Sequence, residues 1–296
     1  MESTVLLLGV DGGGTVTRGR LTDRTGKVLG HGTAGPANLR FGLEPSFGAV
    51  FAVTEQCLES ANLTRDEVKR IVACLALAGA SEPTELAAAK KHVHPYRKLV
   101  ITTDAHAACV GAHAGKDGGV VIIGTGAIGC AIVQGSEYRC GGWGFPVSDE
   151  GSGAWLGCEA IRRVLWAHDG RIGWSECLRA LFTEFQSDPH RIVHWMTNAR
   201  PRDFARFAPL VFEHARSDAV AAELVRSAAG HIDQLALRLL ELGAPRLSLM
   251  GGLADKIEPF LAARVKEHLM PPAADAVSGA LTLARAEAET LATAKG

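Results

Sequence analysis

The stretch VLLLGVDGGGTVTRGRLTD, residues 5–23, decides the fold of this chain. Its first part, Val5–Val10, is a continuous apolar run of the kind that forms a buried strand. A turn rich in glycine and threonine follows, since glycine accepts the backbone angles that tight turns require. Val16–Leu21 and Lys27–Thr33 then have the composition of two more strands. The segment therefore predicts an antiparallel meander of three strands.

The same pattern returns about a hundred residues later. Residues 118–135 read GGVVIIGTGAIGCAIVQG, and strands are predicted at Gly119–Gly124, Gly129–Gln134 and Glu137–Cys140. After each meander the periodicity alternates between helices and strands. The chain is therefore predicted to be an internal duplication, with helical insertions in its second copy.

The duplication predicts an α/β protein of two domains, residues 1–113 and 114–296, with a hinge near Gly111–Gly118. Each domain is expected to be a five-stranded mixed sheet flanked by helices, with the active site in the cleft between the domains. The segment MPPAADA, residues 270–276, is a weak candidate for the last strand of the second sheet. The last helix is free in this scheme to pack back on the first domain.

Composition excludes several classes of function. The 296 residues carry 31 basic and 32 acidic side chains, so no basic field exists for nucleic acid or an anionic membrane. No segment approaches the roughly 20 apolar residues of a membrane span, and the N-terminus lacks the pattern of a signal peptide. The seven cysteines are scattered and form no C-x-x-C pair. Buried free thiols in the cytoplasm are therefore expected.

Two turns have the character of phosphate-binding loops, because their backbone amides can approach an anion closely and a hydroxyl lies beside them. The candidate phosphate-binding residues are Gly12, Gly13, Gly14, Thr15, Gly124, Thr125 and Gly126. Asp11, at the end of the first strand, can hold a hydrated Mg²⁺. The alternative is an ordinary glycine-rich hairpin turn. Neither turn matches the Walker A or dinucleotide-binding motif, since a strand rather than a helix follows.

Asp104 lies between a predicted strand, Lys98–Thr103, and a predicted helix, Ala105–Ala114. It is either the N-cap of that helix or a catalytic carboxylate at the edge of the sheet. Both interpretations remain open from the residues alone.

The segment GGWGFPVSDEGSG, residues 141–153, combines glycines, an aromatic ring and adjacent carboxylates. Such groups suit a sugar, although a surface loop with Ser152 as a helix cap is the alternative. Asn38 is a turn residue whose amide can reach the expected cleft. The pair Gly251 and Gly252 can let a nucleotide base or ribose lie against the backbone.

These residues resemble the sugar-kinase branch of the actin-like ATPase superfamily and, within it, the BadF/BadG/BcrA/BcrD ATPase family with its N-acetylglucosamine and glucosamine kinases. The resemblance runs nearly from end to end. Its motifs are GVDGGGT (9–15), ALAGA (76–80), TDAHAACVGAH (103–113), GTG (124–126), GGWG (141–144), SDEGSGAWLG (148–157) and LMGGLA (249–254). It implies two ribonuclease H-like domains.

The resemblance also implies roles for single residues. Asp104 becomes the catalytic base, the two glycine turns bind the phosphates of ATP, and Gly251 and Gly252 belong to the adenosine motif. The residues it places at the amino sugar are Asn38, Asp104, Gly142, Trp143 and Asp149.

The implied reaction is transfer of the γ-phosphoryl group of ATP to the 6-hydroxyl of the sugar, with Mg²⁺ as cofactor. Trp143 favours N-acetylglucosamine, whose acetyl group needs an apolar wall. Glucosamine is the alternative, because its ammonium needs a nearby carboxylate and Asp149 and Glu150 could supply one. A homodimer is expected. Two other classes remain: an activator ATPase of a radical dehydratase, which holds an iron–sulfur cluster through cysteines, and a non-catalytic sugar sensor.

Overall fold

The structure is a computed structural model that describes residues 5–293 of the chain. It contains two compact units. The first consists of the residues up to Asp117 together with those from Pro272 onward, and the second is Gly118–Pro271. This division differs from the boundaries expected from the sequence chiefly in the C-terminal segment, which belongs to the first unit.

The strands of the described residues are β1 (Leu6–Gly12), β2 (Thr17–Thr22), β3 (Val28–Ala34), β4 (Ile71–Leu77), β5 (Lys98–Thr102), β6 (Gly118–Ile123), β7 (Ala127–Val133), β8 (Ser136–Gly141) and β9 (Leu247–Met250). The α-helices are α1 (Leu43–Ser60), α2 (Pro83–Lys91), α3 (Asp104–Ala112), α4 (Gly153–His168), α5 (Glu176–Thr183), α6 (Pro189–Met196), α7 (Pro201–Ala205), α8 (Ala208–His214), α9 (Ala219–Glu241), α10 (Ala254–Ile257), α11 (Ala263–Lys266) and α12 (Ala276–Thr293). Short 3-10 helices lie at Leu39–Phe41, Arg65–Arg70 and Glu258–Phe260. None of the helices within residues 5–293 combines the length and apolar character needed to cross a membrane.

The sheet of the first unit has the strand order β3-β2-β1-β4-β5. The first three strands form the predicted antiparallel meander, and β4 and β5 continue the sheet in parallel with β1. All seven residues of β4 are buried, as expected of a parallel strand covered on both faces. One face packs on α1, and the other packs on α12 with support from α3.

The last helix, α12, makes unusually close contact with α3. A Cβ atom on Gly279 would lie 1.9 Å from the backbone oxygen of Ala107, and one on Gly111 would lie 2.2 Å from the backbone oxygen of Asp275. Only hydrogen is small enough at either position. The two glycines therefore let α3 and α12 meet backbone to backbone, which fixes Asp275 beside the end of α3.

The sheet of the second unit has the order β8-β7-β6-β9, which repeats the order of the first four strands in the first unit. The predicted duplication and the two mixed sheets are confirmed, although this sheet has four strands where five were expected. In place of the fifth strand, Leu269 forms an isolated bridge to Leu247. Pro271 and Pro272 follow at once, and proline has no N–H with which to continue a ladder.

The helices of the second unit surround one large apolar core. The long helix α9 packs on β6, β7 and β8, and α4 packs on α5, α7, α8 and α9. The insertion between α4 and α9 also contains α6, which the sequence pattern did not predict. The second unit therefore consists of a small sheet and a larger layer of helices.

Candidate active site

The first glycine turn is held in place by two neighbouring segments of the first unit. The amide of Gly13 donates to the carbonyl of Val16 across the turn (3.1 Å). The amide of Ala37 donates to the carbonyl of Gly13 (3.1 Å), and that of Ala78 to the carbonyl of Gly12 (2.8 Å). These bonds occupy the carbonyl groups of the turn and leave its tip free to face a ligand.

The tip of this turn consists of Gly14 and Thr15, and both residues are exposed. Within residues 5–293 neither backbone amide has a protein acceptor. Unpaired amides next to a hydroxyl are the groups that bind an anionic oxygen. The geometry of the turn therefore suits a phosphate group.

Asp11 lies at the base of the turn and is only partly exposed. Burial and the nearby carboxylate of Asp104 raise the pKa of Asp11 from 3.8 to about 6. Arg18 opposes this rise in pKa, and Asp275 adds to it. The structure thus places the carboxylate of Asp104 close enough to Asp11 to raise its pKa.

The sequence analysis did not identify two of the charged neighbours of Asp11, Arg18 and Asp275. Arg18 is directly opposite Asp11 in the β1–β2 pair, so the register of the predicted meander could have revealed it. Asp275 comes from the segment that precedes α12, more than two hundred residues away in the chain. No local pattern could have placed Asp275 near Asp11.

Asp104 is the first residue of α3 and follows β5 directly. The cap of this helix is Thr103, whose hydroxyl oxygen accepts a hydrogen bond from the amide of His106 (3.0 Å). The interpretation of Asp104 as the N-cap is therefore wrong. Its carboxylate accepts a hydrogen bond from the amide of Ala105 (2.9 Å) and lies in the first turn, where the helix dipole favours negative charge.

Asn38 lies next to the first glycine turn. Its side-chain oxygen accepts a hydrogen bond from the amide of Arg40 (3.0 Å) and so caps the short helix Leu39–Phe41. Its side-chain nitrogen lies 3.9 Å from the place that a Cβ atom on Gly14 would occupy. The amide nitrogen of Asn38 is thus oriented as a donor beside the turn.

The second glycine turn is attached to the start of α4. The amide of Gly153 donates to the carbonyl of Gly124 (2.8 Å), and the amide of Ala154 donates to that of Thr125 (3.1 Å). Ser152 caps α4 through the amide of Trp155 (3.2 Å), as the sequence suggested. Thr125 is exposed at the tip of the turn. The two turns therefore share one design, in which the carbonyls are bonded and a threonine is presented.

Asp149 lies directly against the second turn. A Cβ atom on Gly126 would be 2.8 Å from Oδ2 of Asp149, so a larger residue there would displace the carboxylate. The same oxygen accepts a hydrogen bond from the amide of Phe145 (3.1 Å). Burial raises the pKa of Asp149, and the amides of Phe145, Ala127 and Gly144 partly offset that rise.

Trp143 projects from the same loop and is 70% exposed. The guanidinium of Arg139 lies over its ring, 4.7 Å from the centroid. Arg139 also donates hydrogen bonds to the carbonyls of Gly141 (3.3 Å) and Gly142. Arg139, which the sequence did not single out, therefore fixes the backbone at Gly142 and covers part of the aromatic surface.

Gly251 and Gly252 follow β9, next to the end of β6. Gly251 has a φ of +95°, and a Cβ atom there would lie 2.3 Å from the carbonyl oxygen of Ile123. Gly252 is open, because no heavy atom lies within 4 Å of the corresponding position. The pair brings exposed backbone close to the strand that leads into the second glycine turn.

Two sheets of matching order, each with a glycine turn between its first two strands, define the class of the chain as an actin-like ATPase. The family follows from comparison. The sequence profile of the BadF/BadG/BcrA/BcrD ATPase family matches residues 8–284, and the chain belongs to this family.

Two relatives match over almost their whole length. The glucosamine kinase GspK of Vibrio cholerae is 36% identical over 94% of this chain and 95% of its own. A crystal structure of a proposed N-acetylglucosamine kinase from Chromobacterium violaceum has a TM-score of 0.90 and 34% identity, and the match covers 95% of this chain and 99% of that one.

A more distant structure shares the fold alone. The activator of the 2-hydroxyisocaproyl-CoA dehydratase from Clostridium difficile, with bound ADPNP, has a TM-score of 0.53 and 15% identity. That match covers 98% of this chain and 97% of the activator. The predicted family and fold are confirmed.

Proposed function

We propose that this protein is an ATP-dependent amino-sugar kinase that transfers the γ-phosphoryl group of ATP to the 6-hydroxyl of its substrate. The observation that carries the proposal is the pairing of Asp104, at the start of α3, with Asp11 at the base of a glycine turn. The full-length similarity to a glucosamine kinase supports it.

ATP is assigned to the two glycine turns. The amides of Gly14 and Thr15 and the hydroxyls of Thr15 and Thr125 bind its phosphate oxygens in this proposal. Gly12, Gly13, Gly124 and Gly126 shape the turns, and Gly251 and Gly252 let the adenosine lie close to the backbone. Support comes from the two free amides and from the open position at Gly252.

The residues at the base of the first turn fit a magnesium ion. Burial and, after it, repulsion by the carboxylate of Asp104 raise the pKa of Asp11, and a cation offsets both effects. Asp11 would hold the ion through water. When bound, Mg²⁺ neutralises charge on the phosphate oxygens and so lowers the barrier to phosphoryl transfer.

Asp104 is the proposed catalytic base. Phosphoryl transfer passes through a loose transition state, so placing the acceptor hydroxyl matters more than deprotonating it early. Asp104 orients the 6-hydroxyl by accepting its hydrogen bond and takes the proton late in the reaction. Asn38 and Asp149 contribute further polar contacts to the sugar.

N-acetylglucosamine is the acceptor that the site favours. Its acetyl group suits the exposed ring of Trp143, and the guanidinium of Arg139 over that ring disfavours an ammonium nearby. Glucosamine is the second candidate, because the full-length curated relative is a glucosamine kinase. Glu150, which accepts a hydrogen bond from Ser148 (3.3 Å), is the carboxylate that could pair with its ammonium.

The cysteines give no support to a dehydratase activator. Cys57, Cys74, Cys109, Cys130 and Cys177 are buried, whereas a cluster held between two subunits needs cysteines at the surface. Cys140 and Cys158 are partly exposed.

The deciding experiment is a coupled assay of ADP release with N-acetylglucosamine, glucosamine, N-acetylmannosamine and glucose, followed by NMR of the product to locate the phosphate. We expect release to depend on an amino sugar and the phosphate to be on O6. Equal release with and without sugar would refute the kinase assignment. The homodimer and the cytoplasmic location stay predictions, to be checked by light scattering and cell fractionation.

A further inference from the structure

A cavity lies entirely within the first unit, between β2, the β2–β3 hairpin and α12. Its volume is about 420 Å³, which is in the range of pockets that hold small metabolites. Thr22, at the end of β2, is paired with Leu7, four positions before Asp11 on β1. At roughly 3.3 Å per residue Thr22 is therefore about 13 Å along the strand from Asp11, and Arg20, which is paired with Gly9, is about 7 Å from it. The cavity extends from Arg20 away from the proposed catalytic pair.

The charged side chains that line the cavity are both basic. Arg20 and Arg285 line it from opposite elements, and none of the described residues that line it is acidic. The guanidinium of Arg285 lies over the hairpin, where a Cβ atom on Gly26 would be 3.0 Å from its Nη2. Within residues 5–293 Arg285 has no ion-pair partner. An isolated guanidinium at the mouth of a cavity is a binding group for an anion.

Arg20 is held in a fixed position by its neighbours. Its guanidinium donates to the hydroxyl of Ser278 (2.9 Å) and to the carboxylate of Asp275 (3.0 Å). These bonds use two of its five N–H groups. Arg20 is therefore oriented in advance, which reduces the entropy lost when a ligand binds.

The nearby carboxylates already accept hydrogen bonds from other groups. Asp23, in the hairpin, accepts hydrogen bonds from the amide and hydroxyl of Thr25 and from the amide of Lys27. Asp275 accepts from Ser278 as well as from Arg20. Asp275 compensates the charge of Arg20, but neither carboxylate forms an ion pair with Arg285, so the positive charge of Arg285 is left uncompensated among the described residues.

The hydroxyl of Thr22 is a second, independent indication that the cavity binds a ligand. It is 3% exposed, it lines the cavity, and its hydroxyl has no hydrogen-bond partner among the described residues. A buried hydroxyl without a partner is costly and uncommon in native proteins. Val28, which is 45% exposed, and Leu281 give the same cavity an apolar side.

We propose that this cavity binds a small organic phosphate, with the phosphate held by Arg20 and Arg285 and the carbon skeleton lying against Val28 and Leu281. Guanidinium groups match phosphate oxygens in geometry and charge, and the Thr22 hydroxyl adds a polar contact. The site is distinct from the ATP and sugar sites and does not depend on the proposed kinase activity.

The test uses isothermal titration of the full chain with glycerol 3-phosphate, inorganic phosphate and neutral glycerol. We expect glycerol 3-phosphate to bind more tightly than phosphate, and glycerol not to bind. Arg285→Gln should weaken glycerol 3-phosphate binding about tenfold or more, since a charge-assisted contact is lost. The matched control is Arg264→Gln, an exposed arginine of the second unit that should change binding less than about twofold.

Thr22→Val provides a second readout. It removes the hydroxyl at nearly constant volume, so the unliganded protein should unfold at a higher temperature while its affinity for glycerol 3-phosphate falls. Turnover of the kinase without added phosphate should be unchanged in Arg285→Gln, which separates this site from the catalytic one. Failure of glycerol 3-phosphate to bind overturns the proposal. So does equal binding by wild type and Arg285→Gln.

Discussion

In the folded protein the surroundings of Asp11 disfavour ionisation of its carboxylate. The substitution Asp11→Asn should therefore increase the free energy of unfolding. Burial and Asp104 raise the pKa of Asp11 from 3.8 to about 6. A pKa difference of one between the folded and unfolded states corresponds to about 1.4 kcal/mol, so the ionised group costs about 3 kcal/mol of unfolding free energy above pH 6. Asparagine keeps the shape of the side chain and removes the charge.

The pH dependence has a definite sign. Between pH 3.8 and about 6 the folded state binds more protons at Asp11 than the unfolded state does. The unfolding free energy of the wild type therefore falls as the pH rises through this window and stays lower above it. In Asp11→Asn this decrease in unfolding free energy with rising pH should be absent. The advantage of this variant should be greatest at about pH 7.5 and should vanish below about pH 4, where both side chains are neutral.

Thermal unfolding without divalent cations measures this effect. An increase in Tm of about 5–10 °C is expected for Asp11→Asn at neutral pH. Asp66→Asn, at a carboxylate that is 92% exposed, is the control and should change little. In an Asp104→Asn background the gain should be smaller, because one cause of the raised pKa is gone. The reasoning is refuted if Asp11→Asn is no more stable than wild type at neutral pH, or if its gain persists unchanged at low pH.

Three further outcomes are expected. Asp104→Asn should lower kcat by about 10²–10⁴ while the thermal unfolding profile stays that of a folded protein; near-normal turnover would remove Asp104 from the mechanism. Gly279→Ala should cost about 1–3 kcal/mol of stability, because its Cβ would lie 1.9 Å from a backbone oxygen, whereas Gly230→Ala in α9, with no atom within 4 Å, should be neutral or stabilising; equal melting temperatures would contradict this. Arg139→Met should raise kcat/KM for glucosamine relative to N-acetylglucosamine by about three- to tenfold, since a cation near the substrate ammonium is removed. Arg171→Met, which removes another arginine stacked on a tryptophan, should leave that ratio unchanged, and an unchanged ratio in both variants would contradict the role given to Arg139.

The meander strands and the duplication were predictable from the sequence because they depend on local patterns. Predicted strands at Val5–Val10 and Val16–Leu21 correspond to β1 and β2 within one or two residues. The sequence also predicts a long helix at Val220–Leu242, because its apolar periodicity extends over many turns, and the bounds of α9 differ by one residue at each end. Helix α6 was not predicted, because a single buried side chain marks its inner face.

The surroundings of the candidate site could not be predicted in the same way. Asp11 and Asp104 were selected by the motifs in which they lie, but the rise in pKa depends on burial and on Asp275 from the far end of the chain. The role of Arg139 depends on a stacking geometry that no spacing reveals. Local patterns thus identify the candidate residues. Their pKa values and ring contacts depend on residues that are distant in the sequence.

The return of the last helix to the first unit has a consequence for synthesis of the protein. Residues 118–271 form a contiguous unit that can fold as soon as it leaves the ribosome. The first unit emerges earlier but lacks α12, which covers Leu7 on β1 and Val72 and Cys74 on β4. Its sheet must wait with one apolar face incompletely covered until α12 has been synthesised. The second unit can therefore complete its folding before the first, which reverses the usual N-to-C order. The exposed apolar surface of the first unit is prone to aggregation during that interval.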